Sequence, residues 1–157
     1  MEQKHLNRRG ALRLGGTAAA GGVAAALAGP AQATPRTRIA ALADLSPGAA
    51  VDFNYPEGAV AVLVDLGEAT EGGVGPKRSI VAYSALCQHM GCPVEYRDAT
   101  KDFFCSCHAS RFDVRLGGQA VGGPAPRGLP RITLEIAGDE IFASGIDGLV
   151  YGFACHA

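Results

Sequence analysis

Two short stretches constrain this chain more than anything else in it: "ALCQHMGCPVEY" (85–96) and "FFCSCHASRFD" (103–113). Between Cys87 and His108 they hold Cys87, Cys92, Cys105, Cys107, His89 and His108, which leaves only Cys155 among the five cysteines outside. A buried thiol packs as a small hydrophobe, and a lone histidine is usually a surface residue, but such packing does not account for this density. A disulfide framework would use the four cysteines and leave the paired histidines without a role. A thioredoxin-like site needs Cys-x-x-Cys ahead of a helix, and the sequence has neither. A metal remains. Whatever the fold, it must hold two loops together, each supplying one Cys and one His.

The body around these loops reads as strands. The chain has 157 residues, the size of one domain. Helical periodicity is hard to find from Arg36 onward, while strand patterns are frequent. "GAVAVLVDLG" (58–67) is a short apolar run bounded by glycines, and "RSIVAYSAL" (78–86), a second run, leads directly into the first Cys/His loop. In "LPRITLEIAGDEIFASGI" Ile132, Leu134 and Ile136 alternate with Thr133 and Glu135, then Gly138-Asp139 reads as a hairpin turn. "GLVYGF" (148–153) is expected to be the last strand, and "EGGVGP" (71–76) and "LGGQAVGGPAPRG" (116–128) to be loops. No repeat appears at solenoid or propeller periods. The expectation is an all-β fold, a small antiparallel sandwich or barrel of short strands.

The N-terminus reads as an address. Arg8 and Arg9 open a basic segment, a charge-free run follows from Leu14, and Ala31-Gln32-Ala33 forms a small-x-small cleavage signal. The paired arginines with Leu12 and Arg13 resemble a twin-arginine export signal. The run is long enough to span a bilayer, but it is mostly Ala and Gly and would insert weakly. Residues 1–33 are therefore expected to be a cleaved signal and 34–157 the working domain. The full chain has 14 basic and 15 acidic residues; 1–33 hold Lys4, Arg8, Arg9, Arg13 and Glu2, leaving 10 against 14, a net −4. No basic stripe remains for a phosphate backbone, and with no Trp there is little to stack on bases, so nucleic acid is excluded as a partner. Cys155 and His156, at the extreme C-terminus, read as a frayed tail rather than a further ligand pair.

Two metal chemistries suit the loops. Structural zinc could take Cys87, His89, Cys105 and His108, although zinc sites usually pair Cys with Cys and His with His along the chain. Here each loop gives one of each, which suits a two-iron, two-sulfide cluster with thiolates on one iron and imidazoles on the other. "CQHMGC" and "CSCHAS" resemble the Rieske family motifs Cys-Thr-His-Leu-Gly-Cys and Cys-Pro-Cys-His-Gly-Ser at all six Cys/His positions, with Gly91 and Ser110 matching as well.

The resemblance implies one [2Fe-2S] cluster, with Cys87 and Cys105 on the buried iron and His89 and His108 on the outer one. It implies a Cys92–Cys107 disulfide clamping the loops, worth about 3 kcal/mol for a loop of roughly 15 residues, and retained in an oxidising compartment. It also implies that "GGPAP" (122–126), with Pro124, covers the cluster, and that Ser110 donates its hydroxyl to a bridging sulfide. Phe112 departs from high-potential relatives, which carry a Tyr there. Loss of that hydrogen bond would lower the potential by at most roughly 65–130 mV.

No nucleotide fingerprint, flavin motif or nucleophile arrangement accompanies the cluster motifs, so no substrate-oxidising residue is expected in this chain. "VAYSALCQHMGCPVEY", "LPRITLEI" and "GIDGLVYG" resemble the small subunit of the arsenite oxidases. That resemblance implies a periplasmic complex with a large molybdopterin-containing subunit, where arsenite becomes arsenate. A cytochrome c or a copper protein would accept the electrons, and membrane association would be weak or absent. The competing expectations are a Rieske subunit of a quinol–cytochrome c oxidoreductase and a soluble Rieske ferredoxin.

Overall fold

The computed structural model describes residues 36–153; the expected signal in 1–33, with Cys155 and His156, lies outside them. Among the described residues, ten strands form two antiparallel sheets. The strands are β1 (Thr37–Ala41), β2 (Ala50–Asn54), β3 (Val60–Asp65), β4 (Ile80–Ser84), β5 (Glu95–Arg97), β6 (Asp102–Cys105), β7 (Ser110–Asp113), β8 (Gln119–Gly122), β9 (Arg131–Ala137) and β10 (Glu140–Asp147). Two single-turn 3₁₀ segments, Leu42–Asp44 and Val114–Leu116, are the helical structure among the described residues, and no described helix is long and apolar enough to cross a membrane.

The large sheet runs β1-β10-β9-β4-β3-β2, the small one β5-β6-β7-β8. The apolar runs at 58–67 and 78–86 become β3 and β4, buried along nearly their whole length. A strand buried on both faces needs side chains suited to two cores, and the period of two supplies them. Ala61 and Leu63 on β3, with Ile80 and Ala82 on β4, join Ala40, Ile132, Ile141 and Ala143 in a core lined by the large sheet, which curls around it. Val62, Val64, Val81 and Tyr83 face the other way and pack on Phe103 and Phe112 from the small sheet and on Val114 just after it. Tyr83 is the main bridge: its ring meets Phe103 edge-on at 5.9 Å between centroids, and its hydroxyl donates to the Val114 carbonyl. Burial pushes the Tyr83 phenol up to about 12.

Gly138-Asp139 turns the β9–β10 hairpin as expected, pairing Ala137 with Glu140. Two expectations fail. "GLVYGF" is not a strand, because β10 is paired only as far as Asp147, opposite Arg131. Beyond that register the facing residue is Pro130, which has no N–H to offer a ladder; residues 148–153 turn instead, with the Phe153 N–H donating to the Val150 carbonyl. The loop expected at 116–128 contains β8, where Gln119 to Gly122 pair with Asp113 to Arg111 around a bulge. Its glycines suggest a break, but a ready edge on β7 overrides that local preference.

Candidate metal centre

The two Cys/His stretches form the ends of adjoining loops, each closed by backbone pairing at its base. In the first, the Cys87 N–H donates to the Cys92 carbonyl, and the Gly91 N–H donates back to the Cys87 carbonyl, both at 2.8 Å. In the second, Cys105 ends β6, Ser110 begins β7, and the two are paired in register. Six chemically distinctive residues are thereby matched, like with like, across the gap.

The innermost pair is sulfur. Cys87 and Cys105 are free thiols, each 1% exposed, set in the core beneath the small sheet. Burial pushes the Cys105 thiol up, and a hydrogen bond to the Cys87 thiol adds to the rise. Sulfur binds a metal as thiolate, so loading a metal at this pair releases protons. The outer pair is imidazole. His89 and His108 bring their Nδ1 atoms to 3.2 Å, with the rings perpendicular and His108 exposed to solvent. Two ring nitrogens converging on one point form a ligand pair for a single ion. The third pair is the disulfide Cys92–Cys107, with Cα atoms 6.6 Å apart. Cys105 Sγ lies within 4.8 Å of both disulfide sulfurs, but these are bonded to each other and have no thiolate to give.

The segment 122–126 lies against the second loop. Gly123 lies so close that a Cβ there would sit 2.4 Å from the Ser110 Cα and 2.7 Å from the Ala109 carbonyl oxygen. Only glycine permits that approach, and its φ of 79° adds a second reason. Ser110 is fully buried and accepts from the Ala125 N–H at 3.2 Å, which leaves its hydroxyl proton free for another acceptor. Pro124 is exposed at the tip of this cover. Phe112 is fully buried in the same core as Cys87 and Cys105. Its ring offers no hydroxyl.

One functional brace escapes the sequence reading. Asp102 on β6 has a side chain only 1% exposed, yet it receives Arg97 from β5 at 2.7 Å and Arg111 from β7 at 2.8 Å. Thr100 donates to the same carboxylate. Burial pushes the Asp102 carboxyl up, but the hydrogen bonds from Arg97, Thr100 and Arg111 outweigh it and bring it down to about 2. The Arg97 guanidinium also lies over the Phe104 ring, 4.4 Å from its centroid. One carboxylate thus joins three strands of the small sheet, three residues before Cys105 along β6. The available signal was the clustering of charges in "YRDATKDFF", where short strands have no reason to carry buried acid unless it is paired.

The donor set suits the group the loops suggest: two buried sulfurs for one iron, and two converging imidazoles near solvent for the other. The description "Rieske [2Fe-2S] domain" matches residues 36–133. The chain is 39% identical to the iodate reductase subunit IdrB of Pseudomonas sp. (strain SCT), over 97% of this chain and 85% of that protein. It is 37% identical to the subunit of the same name from Denitromonas iodatirespirans, over 78% and 68% respectively. Among solved structures, the soluble domain of the Rieske protein II (soxF) from Sulfolobus acidocaldarius superposes with a TM-score of 0.67 at 25% identity, covering 78% of this chain and 83% of that one. Fold, paired donors and relatives agree, and the chain belongs to the Rieske [2Fe-2S] family.

Proposed function

We propose that this chain is the small electron-transfer subunit of an oxidoreductase acting on an oxyanion, with Cys87 and Cys105 on the inner iron and His89 and His108 on the outer one. The observation that carries the reading is the division of the donors into a buried sulfur pair and an outward imidazole pair. A bound Rieske cluster supplies one-electron chemistry. The residues of this chain set its surroundings. The sulfur pair sits in the apolar core, which keeps water from that side. His89 and His108 leave the opposite side accessible to a partner. Ser110 keeps a hydroxyl proton free at the base of the second loop, and the Cys92–Cys107 bridge fixes the separation of the loops.

The finer assignment rests on resemblance. Similarity to iodate reductase subunits along nearly the whole chain supports a subunit of an oxyanion-converting enzyme. The motif resemblance adds a large molybdopterin-containing partner, conversion of arsenite to arsenate, and a cytochrome c or copper protein as acceptor. Export by the twin-arginine route to the periplasm is part of the same proposal, supported by a disulfide that an oxidising compartment maintains.

The test is co-purification with the large chain, followed by two assays on the complex: arsenite-dependent dye reduction and iodate-dependent oxidation of a reduced dye. Arsenite turnover supports the arsenite reading. Iodate turnover alone moves the substrate to iodate and keeps the subunit role. A cluster-loaded chain that binds no large partner overturns the subunit role.

A further inference from the structure

The turn that replaces the expected last strand reaches back to the first ligand loop. Tyr151 places its ring where a side chain on Gly91 would be: a Cβ there would lie 2.4 Å from the Tyr151 Cδ1 and 2.7 Å from its Cε1. Gly91 is in the left-handed region, with φ of 75°, and its N–H closes the loop onto the Cys87 carbonyl. Gln88, His89 and Met90 lie between those two groups. The ring therefore rests on the backbone that sets where His89 points.

The turn is itself well anchored. A Cβ on Gly148 would meet Pro130 at 3.4 Å, Val150 is 7% exposed, and a Cβ on Gly58 would come within 3.9 Å of the Phe153 ring. Pro130 accepts from the Ser84 N–H at the end of β4, the strand that leads into the loop. Between those anchors Tyr151 is 42% exposed, with one side open to solvent and the other against Gly91. A large flat ring held over a bare glycine does two things. It excludes water from the base of the loop, and it resists any movement of Gly91 that would swing His89 away from His108.

We propose that Tyr151 is a positioning residue for the His89 ligand loop, acting through Gly91 to fix the imidazole and keep water from that side of the cluster. Reduction adds negative charge to the centre, and water admitted beside it would stabilise that charge. Tyr151→Ala should therefore raise the midpoint potential, broaden the electron paramagnetic resonance signal of the reduced protein, and speed cluster loss to a chelator several-fold. Tyr151→Phe keeps the ring and should behave as the unaltered protein in all three.

A residue that only adds stability would lower the unfolding temperature without moving the potential. The readouts are protein-film voltammetry, the spectrum, and the rate of bleaching with bathophenanthroline. Tyr151→Leu keeps apolar bulk without the flat ring and serves if the alanine variant does not fold. It should show a smaller shift in the same direction and faster hydrogen exchange at the Gly91 N–H. An unchanged potential and bleaching rate in Tyr151→Ala would overturn the proposal. So would changes that Tyr151→Phe shares, or unchanged Gly91 exchange in the leucine variant.

Discussion

The two sheets are held together in different ways. The large sheet has strands of five to eight residues, and its core is made almost wholly of Ala, Val, Leu and Ile in alternating register. The small sheet has strands of three or four residues, too short to bury much by alternation. It relies on aromatic rings packed against β3 and β4, one buried carboxylate gripping two arginines, and one disulfide. The first is stabilised mainly by apolar burial spread over many residues. The second depends on a few specific contacts, each able to fail alone. Metal ligation belongs on the second kind, because loops fixed by discrete contacts can be aimed.

If that contrast is right, damage to the small sheet should leave the large one standing. Cys105→Ser removes one of the two buried sulfurs and is expected to abolish the cluster, seen as loss of two irons and two acid-labile sulfides. The far-ultraviolet circular dichroism should stay close to that of the unaltered protein. Collapse of the whole spectrum would show that the two sheets fold as one inseparable unit.

Cys92→Ser should cost about 3 kcal/mol in the unfolding of the cluster-binding sheet, with faster bleaching while some cluster still assembles under anaerobic conditions. Complete loss of iron in that variant would mean the disulfide sulfurs had been misassigned.

Asp102→Asn is expected to cost about 2 kcal/mol, measured by urea unfolding at pH 7. The sign follows from a carboxyl lowered from its ordinary 3.8 to about 2 in the folded protein. Its contribution is fully present above pH ~4 and fades as the pH falls toward 2. Acid titration should therefore loosen the β5–β6–β7 ladder first, read as loss of Phe103 and Tyr96 packing in the near-ultraviolet spectrum. The asparagine variant should lose that acid sensitivity.

The smallest effect concerns Ala109, between His108 and Ser110, which has φ of 58°. An L side chain in that region costs about 1 kcal/mol, and the related motif carries glycine there. Ala109→Gly should stabilise the loop by up to about 1 kcal/mol, seen as slower cluster loss on heating. A destabilised variant would show that the methyl group packs usefully.

What could be read from the sequence follows the same division. β9 and β10 were legible because Ile132, Leu134 and Ile136 alternate before an evident turn, β3 because its apolar run ends at glycines, and β4 because its apolar run leads straight into the first ligand loop. The ligand loops were legible because Cys and His in matched pairs have few other uses. β8 was not, since Gly117, Gly118, Gly122 and Gly123 mask a strand that exists only because β7 offers it an edge. The Arg97–Asp102–Arg111 grip was not, because it joins residues on three strands and leaves no periodic trace along any of them. The segment 148–153 was misread as a strand because its apolar residues pack on loops, which local pattern cannot distinguish from packing in a ladder.

The junction of β4 and β9 carries one more consequence. The two strands pair only at Ala82 with Ile132 and Tyr83 with Arg131, and the Ser84 N–H then meets the Pro130 carbonyl. Everything from Ala85 to Leu129, both ligand loops and the entire small sheet included, leaves the larger sheet and returns to it at that single point. Topologically it is an insert between two neighbouring strands of a frame that remains continuous without it. Loops inside such an insert can lengthen, shorten or exchange residues without shifting the register of the frame, because its two ends stay one hydrogen bond apart. A cluster-binding unit could thus be retuned for a new partner while the strands that carry it stay unchanged.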